Sequence, residues 1–189
     1  MNKNKLNEKF GSIKTPLGVI GVFEINNKIT SLNWHAKIQK SSSLIINSTL
    51  QKLLCYFERK EPIKSIPIKL NCIKLKKDIL KIIANIPLGE TSTYGIIAAK
   101  ANTHPRVVGQ ACRENPLPII IPCHRVITSS GNIGNYSGMG GVKTKNILLS
   151  HEKNLKEKKM DIEIKGKSNN FSAYMAVPEK NNAPVVICL

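Results

Sequence analysis

The stretch TSTYGIIAAKANTHPRVVGQACR, which begins at Thr91, constrains the fold most, because it contains two helices joined by a very short turn. Thr91 or Ser92 can cap the first helix, whose body is residues 94–101. The turn is residues 102–104, and Pro105 suits the first position of the second helix. Such a pair, with basic residues on its second helix, predicts a helix-turn-helix.

The rest of the chain predicts a small sheet and further helices, and therefore an α/β (α+β) fold. Alternating apolar residues predict a hairpin with strands at residues 18–25 and 28–32, joined by an Asn-Asn turn. Apolar residues at helical spacing then predict helices over residues 44–57 and 75–86. Proline residues between these two helices indicate an extended linker.

A thiol, an imidazole and a guanidinium stand side by side in Pro122-Cys123-His124-Arg125-Val126. The apolar run at residues 119–121 predicts a strand that ends here and holds the sulfur at the edge of a core. A neighbouring base or positive charge can lower the pKa of a thiol toward neutrality and make a nucleophilic thiolate available. The alternative is an inert core cysteine, since cysteine is among the residue types most often buried.

The net charge permits a nucleic-acid partner but does not require one. The formal charge is +17 over 189 residues. Lysine and arginine neutralise phosphates, yet a general enrichment in Lys, Ile and Asn raises the charge of any protein. The four arginines are more specific, because three of them, at positions 106, 113 and 125, lie in the segment that carries the motifs.

The cysteine pattern and the N-terminus indicate the compartment. Five cysteines form an odd set without Cys-x-x-Cys spacing, which indicates neither a disulfide framework nor a zinc ribbon. No apolar run of about 18 residues occurs, and the start MNKNK lacks the apolar core of a secretory signal. We therefore expect reduced thiols, no bound metal, no membrane association and a cytoplasmic location, at the nucleoid if the chain is bacterial.

Six ordered blocks between residues 86 and 152 resemble the O6-alkylguanine-DNA alkyltransferases, the suicide DNA repair proteins. The blocks are PLGETSTYG (87–95), RVVG (106–109), RENP (113–116), IPCHRV (121–126), GNYSG (134–138) and LLSHE (148–152). Six blocks in order are far more specific than one pentapeptide, and they favour a reactive Cys123 over an inert one.

The resemblance implies the roles of the residues around the thiol. Cys123 is the alkyl acceptor, His124 takes its proton through a water, and Glu152 orients the imidazole. Asn115 corresponds to a hinge asparagine that ties its turn to the active-site segment. Tyr94 donates toward guanine N3 and helps to rotate the nucleotide out of the helix.

The resemblance also implies which residues contact the base and the DNA. Ser137 donates toward guanine O6, and backbone groups near Cys123 and Val126 read the exocyclic amine. Arg106 enters the base stack in place of the flipped nucleotide. The implied substrate-binding set is Ser137, Tyr136, Val126 and Asn135, and the implied DNA-binding set is Arg106, Tyr94, Thr93, Arg113 and Arg125.

The resemblance further implies the architecture and the reaction. Residues 1–70 correspond to an N-terminal α/β domain with an RNase H-like fold, and residues 71–157 to a winged helix-turn-helix catalytic domain. Residues 158–189 form a charged linker and a strand-like tail, with strands expected at 171–178 and 183–189, interpreted as a truncated second domain or a fusion. The implied partner is double-stranded DNA carrying O6-alkylguanine, with O4-alkylthymine as a second lesion. A monomer that acts once and needs no cofactor is expected.

Three other functions remain open at this point. A lesion-binding protein without catalysis is one, although such relatives carry tryptophan in place of the cysteine that is present here as Cys123. A cysteine hydrolase is the second, but it leaves Arg106 and Tyr94 without a role. A structural winged-helix DNA-binding module is the third, and it leaves Ser137 and Glu152 unexplained.

Overall fold

The N-terminal part is a three-stranded antiparallel sheet. The computed structural model describes residues 8–59, 62–158, 161–165 and 170–174. The strands are β1 (Glu8–Thr15), β2 (Gly18–Ile25) and β3 (Lys28–Trp34), paired in that order. The predicted hairpin is confirmed as β2 and β3. Strand β1 was not predicted, because glycine and polar residues interrupt its apolar alternation.

The turn between β2 and β3 uses two residues with positive φ, Asn26 at 51° and Asn27 at 60°. Two-residue hairpins of type I′ need this conformation at both central positions, and asparagine adopts it at low cost. The Asn-Asn turn thus sets the pairing of Ile25 with Lys28, and a β-bulge between Phe23 and Glu24 shifts the register of the remaining pairs.

Helix α1 (Leu44–Arg59) packs against the sheet, as predicted. A Cβ at Gly11 of β1 would lie 2.8 Å from Cβ of Ser41 and would also meet the side chain of Ile46, so this glycine lets the start of the helix approach the strand. The hydroxyl of Ser43 accepts a hydrogen bond from the amide of Ile46 at 3.3 Å and donates to the buried carboxylate of Glu24. Ser43 therefore caps α1 and ties it to β2.

Strand β3 joins the sheet to the rest of the molecule through backbone hydrogen bonds. Ile29 donates its amide to the carbonyl of Pro67 at 2.8 Å and accepts from the amide of Lys69 at 2.9 Å, so the connecting segment runs alongside β3. The amide of Leu32 donates to the carbonyl of Pro116 at 2.8 Å. The sheet thus contacts the turn that precedes the thiol.

The helical part begins with α2 (Lys74–Ala84), followed by α3 (Tyr94–Lys100) and α4 (Pro105–Arg113). These are the predicted helices, although α2 ends two residues earlier than expected. The N-cap of α3 is Thr93, not Thr91 or Ser92, and its side-chain oxygen accepts from the amide of Ile96 at 3.2 Å. A short turn separates α3 from α4, as predicted.

The predicted strand at residues 119–121 is wrong. The run is a turn in which Ile119 has a φ of 71° and the amide of Ile121 donates to the carbonyl of Leu117 at 2.8 Å. A β-branched residue such as Ile119 rarely adopts a positive φ. The run was mistaken for a strand because its three isoleucines are all at least half-buried in the turn, and a short apolar run is typical of a buried strand. The turn leads into a one-turn 3₁₀ helix, Cys123–Arg125.

Two short strands, β4 (Ser92–Thr93) and β5 (Val126–Ile127), pair in parallel and hold the 3₁₀ helix beside the start of α3. Helix α5 (Gly141–Lys158) follows the glycine-containing loop. One cluster of buried apolar side chains extends from the sheet through α1 into these helices; it includes Val22, Ile46, Ile83, Val108 and Leu148. The molecule is thus a mixed α/β protein, as expected.

After α5 the chain forms a hairpin of β6 (Asp161–Lys165) and β7 (Asn170–Tyr174). Strand β7 confirms the first part of the strand predicted at residues 171–178. The rest of that strand and the one predicted at 183–189 lie outside the described residues. In the part of the chain that the structure describes, no helix is both long enough and apolar enough to cross a bilayer.

Candidate active site

The candidate active site is centred on Cys123, whose thiol is 3% exposed. The residue opens the 3₁₀ helix, and its amide donates to the carbonyl of Ile121 at 2.8 Å. Cys123 lines an open cleft although little of the residue is exposed to solvent. A short helix between a tight turn and β5 therefore positions Cys123, in place of the predicted strand end.

Asn115 joins α4 to this turn through three hydrogen bonds. Its side-chain amide donates to the carbonyl of Ile121 at 2.8 Å and to Sγ of Cys123 at 3.3 Å. Its side-chain oxygen accepts from the amide of Leu117 at 3.0 Å. The asparagine therefore holds both ends of the turn and contacts the sulfur directly, in the place where a hinge residue was expected.

The carboxylate of Glu152 contacts the imidazole of His124, the residue that follows Cys123 in the sequence. Oε1 of Glu152 is 2.8 Å from Nε2 of His124, and both side chains are fully buried. Because an ionised carboxylate can only accept, Nε2 carries the hydrogen and donates it. In the neutral ring Nδ1 is then the acceptor, and it has no hydrogen-bond partner among the described residues.

Glu152 accepts five hydrogen bonds in all, from side chains and backbone far apart in sequence. Arg125 donates from Nε to Oε2 at 2.8 Å and from Nη2 to Oε1 at 2.9 Å. The amide of Gly89 donates to Oε2 at 3.2 Å, and the hydroxyl of Tyr56 donates to Oε1 at 2.7 Å. A carboxylate held this completely keeps one orientation toward His124.

The assignment of Arg125 to the DNA-binding set is corrected by this arrangement. Its side chain is 9% exposed, and its third nitrogen, Nη1, donates to the carbonyl of Ile86 at 2.6 Å. The guanidinium is therefore used inside the protein, where it balances the charge of Glu152. The family resemblance and the grouping of three arginines among the motifs suggested a DNA contact, but burial shows an internal ion pair.

Burial sets the protonation states of the site. It raises the pKa of the Cys123 thiol above its ordinary value, and this outweighs the lowering by Asn115 and Lys145. Burial likewise lowers the pKa of His124, although Glu152 opposes it. Burial also acts to raise the pKa of Glu152, but the hydrogen bonds from His124 and Arg125 hold it well below its usual range.

The resting site therefore contains a neutral thiol, a neutral imidazole and an ionised carboxylate. The expectation that neighbouring groups lower the thiol pKa toward neutrality is wrong for the resting protein, because loss of solvation exceeds their effect. The thiol must pass its proton to a base while it reacts, instead of waiting as a thiolate.

An open cleft of about 930 Å³ lies in front of the thiol, between α3, α4 and the loop that precedes α5. It contains most of the residues expected to contact a base or a nucleic acid. Those lining the cleft are Tyr94, Arg106, Arg113, Asn135, Tyr136 and Ser137, together with Cys112 and Cys123. Arg106 and Arg113 are exposed on α4, so they can reach a ligand that covers the cleft.

The three side-chain hydroxyl groups of Ser137, Tyr136 and Tyr94 have different environments in the cleft. The hydroxyl of Ser137 donates to the carbonyl of Cys112 at 3.4 Å. The hydroxyl of Tyr136 is buried and has no hydrogen-bond partner in the described part of the chain. Burial, followed by the nearby thiols Cys112 and Cys123, raises the pKa of Tyr94 to about 12, so its hydroxyl stays a donor at neutral pH.

Two predicted site residues serve mainly local structure. The Thr93 side chain caps α3 through its oxygen and is half-buried. Val126 is fully buried, and its carbonyl accepts a hydrogen bond from Nζ of Lys145 at 2.6 Å. Neither side chain lines the cleft.

Sequence reasoning missed Lys145 and Tyr56. Lys145 is fully buried in α5, its ammonium also donates to the carbonyl of Asn135 at 3.3 Å, and it lies 6.0 Å from the centre of the Tyr94 ring. A lysine in a lysine-rich chain carries no signal of burial. In the sequence Tyr56 is only one more residue of a predicted helix. Its hydrogen-bond partner, Glu152, is 96 residues away.

No three of the His, Cys, Asp and Glu side chains that the structure describes are grouped so as to hold a metal ion. The reactive groups in and beside the cleft are a thiol, an imidazole–carboxylate pair and hydroxyl donors. The fold and the site define a class of protein with a shielded, activatable cysteine at the end of an arginine-bordered cleft.

Comparisons with known proteins identify the family. The family model "6-O-methylguanine DNA methyltransferase, DNA binding domain" matches residues 74–154. A methylated-DNA–protein-cysteine methyltransferase of Saccharolobus islandicus is 38% identical over 145 residues, which is 76% of this chain and 94% of that protein. The Methanothermobacter thermautotrophicus protein of the same name is 46% identical over 81 residues, 43% of this chain and 45% of that protein.

The fold supports the same assignment. The crystal structure of Mycobacterium tuberculosis OGT in complex with DNA is similar with a TM-score of 0.66 and 28% identity, over 77% of this chain and 92% of that one. The chain therefore belongs to the methylated-DNA–protein-cysteine methyltransferase family. The family resemblance inferred from the six sequence blocks is confirmed.

Proposed function

We propose that the protein repairs alkylated DNA by one irreversible transfer of an alkyl group from guanine O6 to Cys123. The observation that carries the proposal is the arrangement around Cys123. This residue lines the cleft, Asn115 donates to its sulfur, and the next residue, His124, is paired with Glu152. The names of the relatives support the same reaction.

In the proposed reaction the Cys123 sulfur forms a bond to the alkyl carbon as the bond from that carbon to O6 breaks. The thiol proton passes to Nδ1 of His124, directly or through a water, and Glu152 stabilises the resulting imidazolium. The electron pair of the broken C–O bond goes to O6 and the purine ring. The proton taken up by His124 returns to the purine through solvent, which restores guanine and the neutral imidazole. Water does not cleave the thioether product, so each molecule reacts once.

The cleft supplies donors for the purine. The Tyr94 hydroxyl donates toward N3, and the Ser137 hydroxyl turns from the Cys112 carbonyl toward O6 as charge develops there. Tyr136, Asn135 and the backbone near Val126 complete the substrate-binding set. O4-alkylthymine presents an alkoxy carbon of the same kind and is the second substrate that we propose.

Access to such a base requires that the nucleotide leaves the duplex. We propose that α3 and α4 act as the helix-turn-helix of a winged domain, with α4 in the minor groove and Arg106 in the space of the flipped base. Arg113, Thr93 and Tyr94 contact the backbone. The Mycobacterium tuberculosis complex with DNA supports DNA as the partner.

The remaining proposals concern organisation. Residues 1–70 form an RNase H-like N-terminal domain, residues 71–157 form the catalytic domain, and residues 158–189 are an appended segment. The protein acts as a monomer in the cytoplasm. It needs no cofactor, because the sulfur that attacks the alkyl group is also the atom that keeps it.

The test is intact mass spectrometry after incubation with a duplex oligonucleotide that carries one O6-methylguanine. The expected result is a stoichiometric gain of one methylene in the unmutated protein and none in Cys123→Ala. Cys112→Ala is the matched control, since this second buried thiol lines the same cleft and should leave the gain intact. Tight lesion binding without a mass gain would instead establish a lesion-binding protein.

A further inference from the structure

The hydroxyl of Tyr56 contacts the carboxylate on which the site depends. Tyr56 lies on α1 in the N-terminal part of the chain and is 1% exposed. Its Oη is 2.7 Å from Oε1 of Glu152. This is the same oxygen that accepts from Nε2 of His124 at 2.8 Å. Tyr56 and His124 thus share one acceptor atom.

The direction of this hydrogen bond follows from the charges. Burial, followed by the neighbouring Glu152, raises the pKa of Tyr56 well above its ordinary value, so the phenol keeps its proton. The carboxylate can only accept. Tyr56 therefore donates, and its O–H dipole takes up part of the negative charge that Oε1 presents to His124.

Tyr56 is itself held from a second direction. The ring nitrogen Nε2 of His151 lies 2.9 Å from the Tyr56 carbonyl, and the two ring centres are 5.2 Å apart. His151 directly precedes Glu152 on α5. The second half of α1 is therefore attached to α5 at two consecutive residues, His151 and Glu152.

We propose that Tyr56 is a positioning residue, which acts through Glu152 on His124, so that the N-terminal helix α1 completes the hydrogen-bond network of the reacting thiol. This inference rests on the proposed function, because it assigns Tyr56 a part in the reaction of Cys123. The hydrogen bonds of Tyr56 themselves lie within the protein and do not involve DNA. The hydroxyl of a buried tyrosine usually finds a hydrogen-bond partner. Here the partner is the one carboxylate that contacts the imidazole next to Cys123.

Removal of the Tyr56 hydroxyl should change both the basicity of His124 and the orientation of Glu152. In Tyr56→Phe the ring still packs, but Oε1 loses one donor, so more of its charge acts on His124 and the imidazole becomes a stronger base. The carboxylate is also less firmly oriented, which lowers the efficiency of proton transfer. The pH profile of Cys123 should therefore move, even if the fold is retained.

The experiment follows alkylation of Cys123 in the full chain by iodoacetamide between pH 6 and 10, with the modified site identified by mass spectrometry. For Tyr56→Phe we expect the midpoint of the pH profile to fall by about 0.5–1 pH unit.

Phe57→Leu is the matched control. Phe57 is the next residue on α1, packs against the Tyr56 ring at 5.0 Å between centres, and offers no polar group to Glu152. It should change the thermal unfolding midpoint and leave the pH midpoint in place. A Tyr56→Phe profile that superimposes on that of the unmutated protein would overturn the inference, as would an equal shift in Phe57→Leu.

A parallel assay with the O6-methylguanine oligonucleotide separates the two proposals. If the unmutated protein fails to take up the methyl group while the iodoacetamide profile still moves in Tyr56→Phe, the proposed function is wrong and the positioning role stands. If methyl transfer occurs and the iodoacetamide profile does not move, the positioning role is wrong and the proposed function stands.

Discussion

Asn115 donates a side-chain hydrogen to Sγ of Cys123 across 3.3 Å, and the same amide nitrogen donates to the carbonyl of Ile121. One side chain thus holds the turn and stabilises negative charge on sulfur. The hydrogen bond to the sulfur opposes the burial that raises the pKa of the thiol. The residue that positions Cys123 is therefore also one that makes it reactive.

Replacement of Asn115 by alanine should slow alkylation of Cys123 by iodoacetamide at pH 8 about three- to tenfold, because the thiolate loses a donor. The free energy of unfolding should fall by about 1–3 kcal/mol, since the Ile121 carbonyl and Leu117 amide lose their buried partner. Stopped reactions analysed by mass spectrometry and urea unfolding measure the two effects. Asn47→Ala, at an exposed amide on α1, is the control. Equal slowing in both variants would contradict the assigned role.

Lys145→Met should loosen the loop over the cleft. The buried ammonium joins the carbonyls of Val126 and Asn135, so methionine leaves both unpaired and should cost about 1–3 kcal/mol of unfolding free energy. Hydrogen exchange should accelerate within residues 128–140, and iodoacetamide should react more slowly with Cys123, whose pKa Lys145 helps to lower. Lys143→Met removes an exposed lysine from the same helix and should change neither measurement.

Local patterns predicted the parts of the fold that local physics determines. The Asn-Asn hairpin and Pro105 at the start of α4 each follow from backbone preferences of a few residues. The failures have long-range causes. Ile119 adopts a positive φ because the surrounding turn imposes it, and Arg125 is buried because Glu152, 27 residues later, pairs with it. No periodicity in a single chain contains such information.

The site divides in the same way. Cys123, His124 and Glu152 came from motifs whose chemistry is carried by residue type and order. Tyr56 and Lys145 have side chains that usually serve packing or solvation, and only three-dimensional contacts reveal their partners. A sequence can therefore indicate which groups react before it indicates which groups hold them.

Stability should decrease on alkaline titration because buried and partly buried thiols and phenols resist ionisation. Burial raises the pKa of Cys123, that of Cys112 to about 12 and that of Tyr94 to about 12. Since each folded pKa exceeds its unfolded value, the stabilisation is complete below the unfolded pKa, about 8.5 for a thiol, and is lost as pH rises toward the folded pKa.

The free energy of unfolding should therefore fall above about pH 8.5, by up to about 1.4 kcal/mol per pH unit for each thiol. Urea unfolding at pH 7.5, 9 and 10 measures the slope, which should be smaller in Cys112→Ala. Val108→Ala makes a cavity in the same helix without removing a titrating group, and should lower stability while leaving the slope unchanged. A slope that is equal in Cys112→Ala and the unmutated chain would show that this thiol does not resist ionisation.

Gly109 separates the stability of α4 from its proposed contact with DNA. A Cβ at this helical position meets no atom within 4 Å, so Gly109→Ala should raise the unfolding free energy by about 0.5–1 kcal/mol through helix propensity. Because Gly109 also lines the cleft, the added methyl group should project toward DNA if α4 lies in the minor groove. We expect fluorescence anisotropy at fixed salt to show that Gly109→Ala binds DNA about tenfold more weakly. The reactivity of Cys123 with iodoacetamide should be unchanged. If the stabilised variant binds DNA as tightly as the unmutated protein, the DNA lies on another surface.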